Sequence, residues 1–176
     1  MAQPFSTREQ VETHLAQVLN PDRAFRVHPI QHGWVCSPLP TPQETAAGRD
    51  LGMTKLVVDS ETGTVLEYPS WSVRMVENDY TEAKRTGRSP QGRQIHPKLW
   101  QVSLERIRED ALEIEYLLKA TSRANPPRDS EEYTLLINKQ TLEHRPPGTH
   151  SALAMSWVQQ RNSMNGAWPD QATFEY

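Results

Sequence analysis

The sequence contains a single cysteine, Cys36, which excludes an internal disulfide and a cysteine-cluster zinc site. It has no run of apolar residues near the roughly 18 that a membrane span requires. Its first residues lack the basic and apolar regions of a secretion signal, so we expect a cytoplasmic protein. Neither charge dominates, because 19 Lys and Arg stand against 22 Asp and Glu. The net charge of −3 therefore predicts no nucleic-acid or membrane partner.

The common catalytic and metal-binding motifs are also missing. There is no HExxH pair, no GxSxG nucleophile turn and no glycine-rich phosphate loop. Among the six histidines, His28 and His32 could meet Cys36 across a hairpin and form a thiol–imidazole or metal cluster. Alternatively, Cys36 packs as a small apolar side chain beside Trp34. We favour the second interpretation and predict no enzymatic activity, no cofactor and no metal.

Two charged stretches stand out from the even background. Residues 84–93 carry four positive charges and no negative one, and their Gly and Pro predict an exposed loop. Nucleic-acid binding is one hypothesis for this loop, but it has no aromatic side chains on which bases could stack. Residues 105–115 form an acidic run, interpreted as a solvated face that could also attract a basic partner.

The first periodic segments predict a helix and a hairpin. Residues 6–19 place apolar side chains on one helical face, and Ser6 with Glu9 has the spacing of a capping box. Residues 24–36 read as two short strands joined by a turn. Gly33 lies at this turn, where it would allow a positive φ.

Two further strands and a second helix are predicted next. Residues 55–59 form an apolar run, and residues 64–68 follow after a turn that ends in glycine. Ser72 then has the position of a helix N-cap, and the helix continues to about Arg85. We predict that these strands pair with each other and that the helix packs on them.

The second half repeats the pattern of the first, which predicts an internal duplication of residues 24–87 and 99–164. Residues 134–138 and 142–144 are predicted as paired strands. Ser151 is predicted to cap a following helix. The inward side chains of this helix are then Leu153, Trp157 and Met164.

Residues 99–119 fit two patterns. Apolar residues at heptad spacing allow one long helix, whereas their alternation with polar residues allows a hairpin. The duplication favours the hairpin, because the matching place in the first half is a hairpin. The predicted fold is thus a single α+β domain, residues 1–176, with a mainly antiparallel sheet. Its N-terminal helix and two further helices would pack on one face of that sheet.

The run from Leu56 to Ser70, continuing through Trp71 to Tyr80, resembles small bacterial immunity proteins of polymorphic toxin systems. Its strand–turn–strand–proline–helix pattern is similar to the YrhB-like immunity family and to the immunity factor of the tuberculosis necrotizing toxin, and we favour the latter. The resemblance implies an antitoxin made in the cytoplasm beside a secreted NAD glycohydrolase. Such a factor binds the toxin's catalytic domain one-to-one and occludes its substrate site without catalytic residues of its own.

An occluding protein of this kind requires a protruding turn with hydrogen-bonding groups. The hairpin tip, Gln31, His32, Gly33 and Trp34, is the predicted partner-binding site. Gln31 can mimic an amide, Gly33 would allow close backbone approach, and Trp34 would anchor the base of the tip. The alternative function is a small ligand-binding or nucleic-acid-binding domain.

Overall fold

The computed structural model of the protein describes residues 5–49 and 51–176. The chain divides into two compact units, Met1–Pro97 and Lys98–Tyr176, and each unit contains one five-stranded antiparallel sheet. The α+β class predicted from the sequence is therefore confirmed. A single domain built from two repeats stays a prediction. Among the described residues, no helix is both long and apolar enough to span a membrane.

The N-terminal unit has strand order β1-β2-β3-β4-β5, with every neighbouring pair antiparallel. The hairpin, the strand pair and both long helices lie where the sequence predicts them, whereas the short helix α2 and the strand β5 were not predicted. The elements are α1 (Arg8–Val18), β1 (Phe25–Ile30), β2 (Gly33–Pro38), α2 (Pro42–Ala46), β3 (Lys55–Asp59), β4 (Val65–Tyr68), α3 (Val73–Thr86) and β5 (Arg93–His96).

Both faces of this sheet are buried, which corrects the prediction that the helices share one face. Successive residues of a strand point to opposite faces. Accordingly, Cys36 and Val58 pack with residues of α1, while Val35 and Val57 pack with residues of α3. The strands β2 and β3 are nearly continuous in apolar residues for this reason. A helix therefore covers each face of the N-terminal sheet.

The helix caps differ from the predictions by one residue at α1 and agree at α3. Thr7 is the N-cap of α1, and the capping box is completed by Gln10, whereas Ser6 and Glu9 were predicted. Ser72 caps α3 as expected, since its side chain accepts a hydrogen bond from the first turn of the helix. Ser6 with Glu9 and Thr7 with Gln10 both have the spacing of a capping box, and the structure uses the second.

The C-terminal unit has strand order β10-β6-β7-β8-β9. Residues 99–119 form the predicted hairpin, and the alternative of one long helix is wrong. The core of this unit lies on one face of its sheet, together with α4. The elements are β6 (Trp100–Glu109), β7 (Glu113–Ser122), β8 (Glu131–Asn138), β9 (His144–Arg145), α4 (Thr149–Asn165) and β10 (Gln171–Glu175).

The segment from β8 to α4 departs from its predicted form. The partner strand expected at residues 142–144 is reduced to the two residues of β9, because Leu142 adopts a positive φ of 62° and belongs to the turn. The N-cap of α4 is Gly148, which offers no side chain. Ser151, predicted as the cap, is instead buried within the helix, where its hydroxyl is 2.9 Å from the hydroxyl of Tyr133.

The inward face of α4 also differs from the prediction. Ala154 and Val158 are fully buried in the core, and Trp157 packs against it while partly exposed. Met164 was expected inside but is exposed, and Leu153 is only half-buried. Because α4 is apolar around much of its circumference, its sequence alone does not define which side faces the sheet.

The two units share the order hairpin, hairpin, helix, strand. They differ in the last strand, because β5 pairs with β4, whereas β10 pairs with β6 at the opposite edge. The shared order of hairpin, hairpin and helix agrees with the two predicted repeats, which end at that helix. The duplication of residues 24–87 and 99–164 itself stays a prediction.

Candidate partner-binding surface

The predicted partner-binding tip is the turn between β1 and β2. Its left-handed residue is His32, with a φ of 69°, and the expectation of a positive φ at Gly33 is wrong. Gln31 is exposed and His32 half-buried, whereas Gly33 is buried as the first residue of β2. A Cβ at Gly33 would lie 2.6 Å from the carbonyl oxygen of Val58. The absence of a side chain at Gly33 therefore allows β2 to lie close to β3 within the unit.

Trp34 and His32 connect the tip to the rest of the unit. The indole nitrogen of Trp34 donates a hydrogen bond of 2.8 Å to the carbonyl oxygen of Phe5, and its ring packs on the core beneath α1. The carbonyl oxygen of His32 accepts a hydrogen bond of 3.0 Å from the backbone nitrogen of Ser60. These contacts brace both the base and the apex of the tip, which makes it rigid.

A second turn lies beside this tip, because Gly33 is the register partner of Asp59. The Asp59 carboxylate organises that turn, since its Oδ1 accepts hydrogen bonds of 2.9 Å from the backbone nitrogens of both Glu61 and Thr62. We call residues 31–34 and 59–63 together the turn end of the N-terminal sheet. It presents two braced turns side by side.

The buried carboxylate Asp59 also connects the turn end to α3. Its Oδ2 accepts hydrogen bonds from the Tyr80 hydroxyl and the Lys84 ammonium, the latter at 2.5 Å. Burial acts to raise the pKa of Asp59, but the bonds from Lys84, Tyr80 and the turn amides outweigh it and hold the pKa at about 2. Burial and the neighbouring carboxylate both raise the pKa of Tyr80 above its usual range. Asp59 is therefore a charged structural acceptor at neutral pH.

Sequence reasoning assigned Asp59 to the turn only and missed its contact with α3. The sequence did contain one indication of this contact. Tyr80 and Lys84 are four residues apart, so they share one helical face and can donate to the same carboxylate. A groove of about 400 Å³ adjoins the network, with Thr62, Thr64 and Arg88 among its lining residues. The hydroxyl groups of the threonines and the guanidinium of Arg88 can hydrogen-bond to a polar partner.

The cationic residues 84–93 do not form one free loop as predicted. Lys84 and Arg85 belong to the last turn of α3, and Arg93 begins β5. All four cations form ion pairs within the unit, so little positive charge is left for phosphates, and the nucleic-acid hypothesis loses its main support. The pairs are Lys84–Asp59, Arg85–Glu82, Arg88–Asp79 and Arg93–Glu67.

The alternative cluster of His28, His32 and Cys36 is not assembled. Cys36 is fully buried toward α1, and its burial raises the pKa of the thiol to about 12. His28 is the register partner of Val35, so it lies on the opposite face of the sheet and is exposed. Within residues 5–49 and 51–176, no group of three or more His, Cys, Asp or Glu is placed to hold a metal ion.

The acidic side chains of the run at residues 105–115 are exposed or half-exposed on the β6–β7 hairpin, as predicted. Its charges are largely paired with cations of the same unit. Glu109 contacts Lys139 at 2.8 Å, and Glu115 contacts Arg108 at 2.7 Å. The run is therefore a solvated, mixed-charge surface.

Replacing Gly33 by alanine is expected to destabilise the N-terminal unit by about 2 kcal/mol, because the new methyl group would overlap a backbone oxygen that side-chain rotation cannot move. The strands β2 and β3 must separate at the tip. Urea unfolding monitored by circular dichroism measures the change. Gln31→Ala, in the same tip but exposed, is the control and is expected to change stability by no more than about 0.5 kcal/mol. Equal effects of the two variants would contradict the packing described for Gly33.

The described geometry defines the N-terminal unit as a small α+β domain with a rigid polar surface at one end of its sheet. Residues 6–88 match the family model of the Immunity protein 35-like domain. The match extends through α3 and covers a little less than half of the chain. It confirms the resemblance of this unit to immunity proteins of polymorphic toxin systems.

The family match does not extend to a particular toxin. The finer resemblance to the immunity factor of the tuberculosis necrotizing toxin stays a prediction, as does the activity of the toxin. No curated protein and no solved structure matches the chain.

Proposed function

We propose that the protein is an immunity protein that binds and neutralises a cognate toxin. The observation that carries this proposal is the Immunity protein 35-like domain over residues 6–88. That range includes both turns of the turn end and the helix that supports them. The role requires a stable binding surface and no chemistry of its own. The proposed site of action is the cytoplasm of the producing bacterium.

The turn end is the surface proposed to bind the toxin. Gln31 is exposed at the apex and His32 is half-exposed, so these two side chains would contact the partner directly. Gly33 and Trp34 would contribute by positioning, because both are held inside the unit. A tip that is rigid before binding loses little conformational entropy when a complex forms, which favours tight one-to-one inhibition.

The proposed toxin is an NAD glycohydrolase, and the proposed mode of inhibition is occlusion of its substrate site. Support comes from the resemblance of residues 56–80 to the immunity factor of such a toxin. The amide of Gln31 provides one carbonyl acceptor and one NH₂ donor, which are the groups that the carboxamide of NAD presents. A protruding amide is thus suited to a pocket that recognises the nicotinamide end of NAD.

The test is to express this protein with the secreted toxin encoded beside it, and to measure binding, cell survival and NAD cleavage. The proposal predicts co-purification of the two proteins and loss of the toxin's NAD-cleaving activity. Absence of binding would overturn the immunity function. Neutralisation of a toxin that does not cleave NAD would overturn only the proposed substrate.

A double variant tests the proposed surface. Gln31→Ala with His32→Ala is expected to weaken toxin binding by about a hundredfold, the loss typical of two interface contacts of about 1.4 kcal/mol each. The matched control is Gln43→Ala with His28→Ala, because both residues are exposed in the same unit and lie outside the turn end. Binding by titration calorimetry separates the two. Full affinity in the first double variant would show that another surface binds the toxin.

A further inference from the structure

The last strand of the C-terminal unit is a free sheet edge. β10 pairs with β6 along one side, and no strand among the described residues pairs with its other side. Gln171, Thr173 and Glu175 are exposed along it. An edge of this kind presents unpaired backbone donors and acceptors, which are complementary to another extended chain.

The other sheet edges carry features that discourage pairing, whereas β10 carries fewer, namely the single charge of Glu175 within the strand and Pro169 shortly before it. β1 contains Arg26 and Pro29, and proline removes a backbone donor. β5 begins with Arg93 and is followed by Pro97, and β9 has only two residues. β10 has five residues with no proline, lysine or arginine. Natural proteins usually protect edges, so an unprotected edge indicates a pairing partner.

A row of aromatic side chains lies beside this edge on the helical face. The ring of Trp157 stacks on Phe174 at 6.0 Å, and Phe174 stacks on Tyr176 at 6.4 Å. The guanidinium of Arg161 lies 4.6 Å from the centre of the Trp157 ring. All three rings are only half-buried. Trp, Tyr and Arg are the residues most enriched at the energetic centres of interfaces.

We infer that β10 pairs with β10 of a second copy of this chain, antiparallel about a two-fold axis. If the axis passes through Thr173, each copy places Gln171 opposite Glu175 and Ala172 opposite Phe174, and Thr173 faces itself. No like charges are opposed, and a small residue meets a large one on the face of the aromatic row. The strand is therefore complementary to itself, as a two-fold interface requires.

The aromatic row supports this pairing register. In an antiparallel pair, diagonal neighbours on the same face lie about 7–8 Å apart, within the reach of aromatic rings. The two copies of Phe174 become such neighbours across the axis, and this joins the row of one copy to the row of the other. The same operation on β1 would place Arg26 opposite Pro29, where one backbone donor is missing.

A cysteine at the centre of the strand tests the register. Thr173→Cys would place two cysteines directly opposite each other, with Cα atoms about 5.5 Å apart, which is within the range that disulfides span. Mild oxidation is expected to convert most of this variant to a covalent dimer on a non-reducing gel. The native Cys36 is fully buried, so it does not compete. Thr121→Cys, at an exposed threonine of the interior strand β7, is the control and should run as a single chain on the same gel, because it forms no cross-link.

Mass measurement of the unmodified chain provides the second test. Light scattering is expected to show twice the 20.1 kDa of one chain. Thr173→Lys, which would oppose two like charges, is expected to return the mass to that of the monomer, whereas Thr121→Lys should leave the dimer intact. A monomeric wild-type chain, or equal cross-linking of the two cysteine variants, would overturn the inference. Neither result depends on toxin binding, so the proposed immunity function is tested separately.

Discussion

Leu118→Ala is expected to lower the free energy of unfolding of the C-terminal unit by about 3–4 kcal/mol, because it removes three buried carbon atoms and leaves a cavity. Leu118 is fully buried, and its strand β7 lies at the centre of the sheet. Most residues of the surrounding core are also buried, so the cavity has little freedom to collapse. Urea unfolding monitored by circular dichroism and by hydrogen exchange of the β7 amides measures the loss.

Ile107→Ala is the control for Leu118→Ala. Ile107 is 55% exposed on the β6–β7 hairpin, and its truncation is expected to cost no more than about 0.5 kcal/mol. The pair also distinguishes the two patterns that residues 99–119 allow. A helix at this place would put Ile107 and Leu118 on the same apolar face, so large and similar losses in both variants would contradict the hairpin.

Asp59→Ala is expected to destabilise the N-terminal unit by about 2–3 kcal/mol at neutral pH, since hydrogen bonds to a charged group are among the stronger ones. The substitution leaves the backbone donors of Glu61 and Thr62 and the hydroxyl of Tyr80 without their acceptor. Lys84 is about one third exposed, and water can recover part of its lost interaction. Asp22→Ala is the control, because Asp22 is exposed in the turn between α1 and β1.

The stabilisation by Asp59 is expected to depend on pH in one direction. The pKa of this carboxyl is about 2 in the folded protein, below its ordinary value of 3.8. Its contribution is therefore fully present above the ordinary value and is lost as the pH falls through about 2. Asp59→Asn removes the charge, so the difference in stability between wild type and variant should shrink on acidification from about pH 4 to pH 2. A difference that stays constant over that range would contradict the assignment.

Secondary structure in this protein is largely a local matter. The turn after Asp59 and the cap at Ser72 were predicted correctly, because each depends on residues close together in the chain. The hairpin of residues 99–119 was also predicted, but local alternation left a helix open, and the comparison with the first half of the chain favoured the hairpin. The errors have local causes as well. The cap of α1 lies one residue later than predicted, since neighbouring residues offer two nearly equivalent capping boxes.

The position of the hairpin tip was predicted but not its internal arrangement, and its role in binding a partner stays a prediction. Gln31 and His32 form the predicted hairpin tip, yet Gly33 serves the packing of β2 on β3, and Trp34 is bonded to Phe5. The contact between Asp59 and α3 could not be read from either segment alone. It forms only when the helix packs on the strand that carries Asp59.

The order of the main strands, turns and helices followed from the residues because propensity, capping and alternation act over a few positions, whereas α2, β5 and β10 were not predicted. Three features were decided only in the tertiary structure: a helix on each face of the N-terminal sheet, the burial of Asp59 against Lys84, and the place of β10 beside β6. Each joins segments far apart in the chain, and the free energy of such contacts depends on how whole faces pack together. An alternating pattern indicates that one face of a strand is buried, but it does not indicate which helix or strand covers that face.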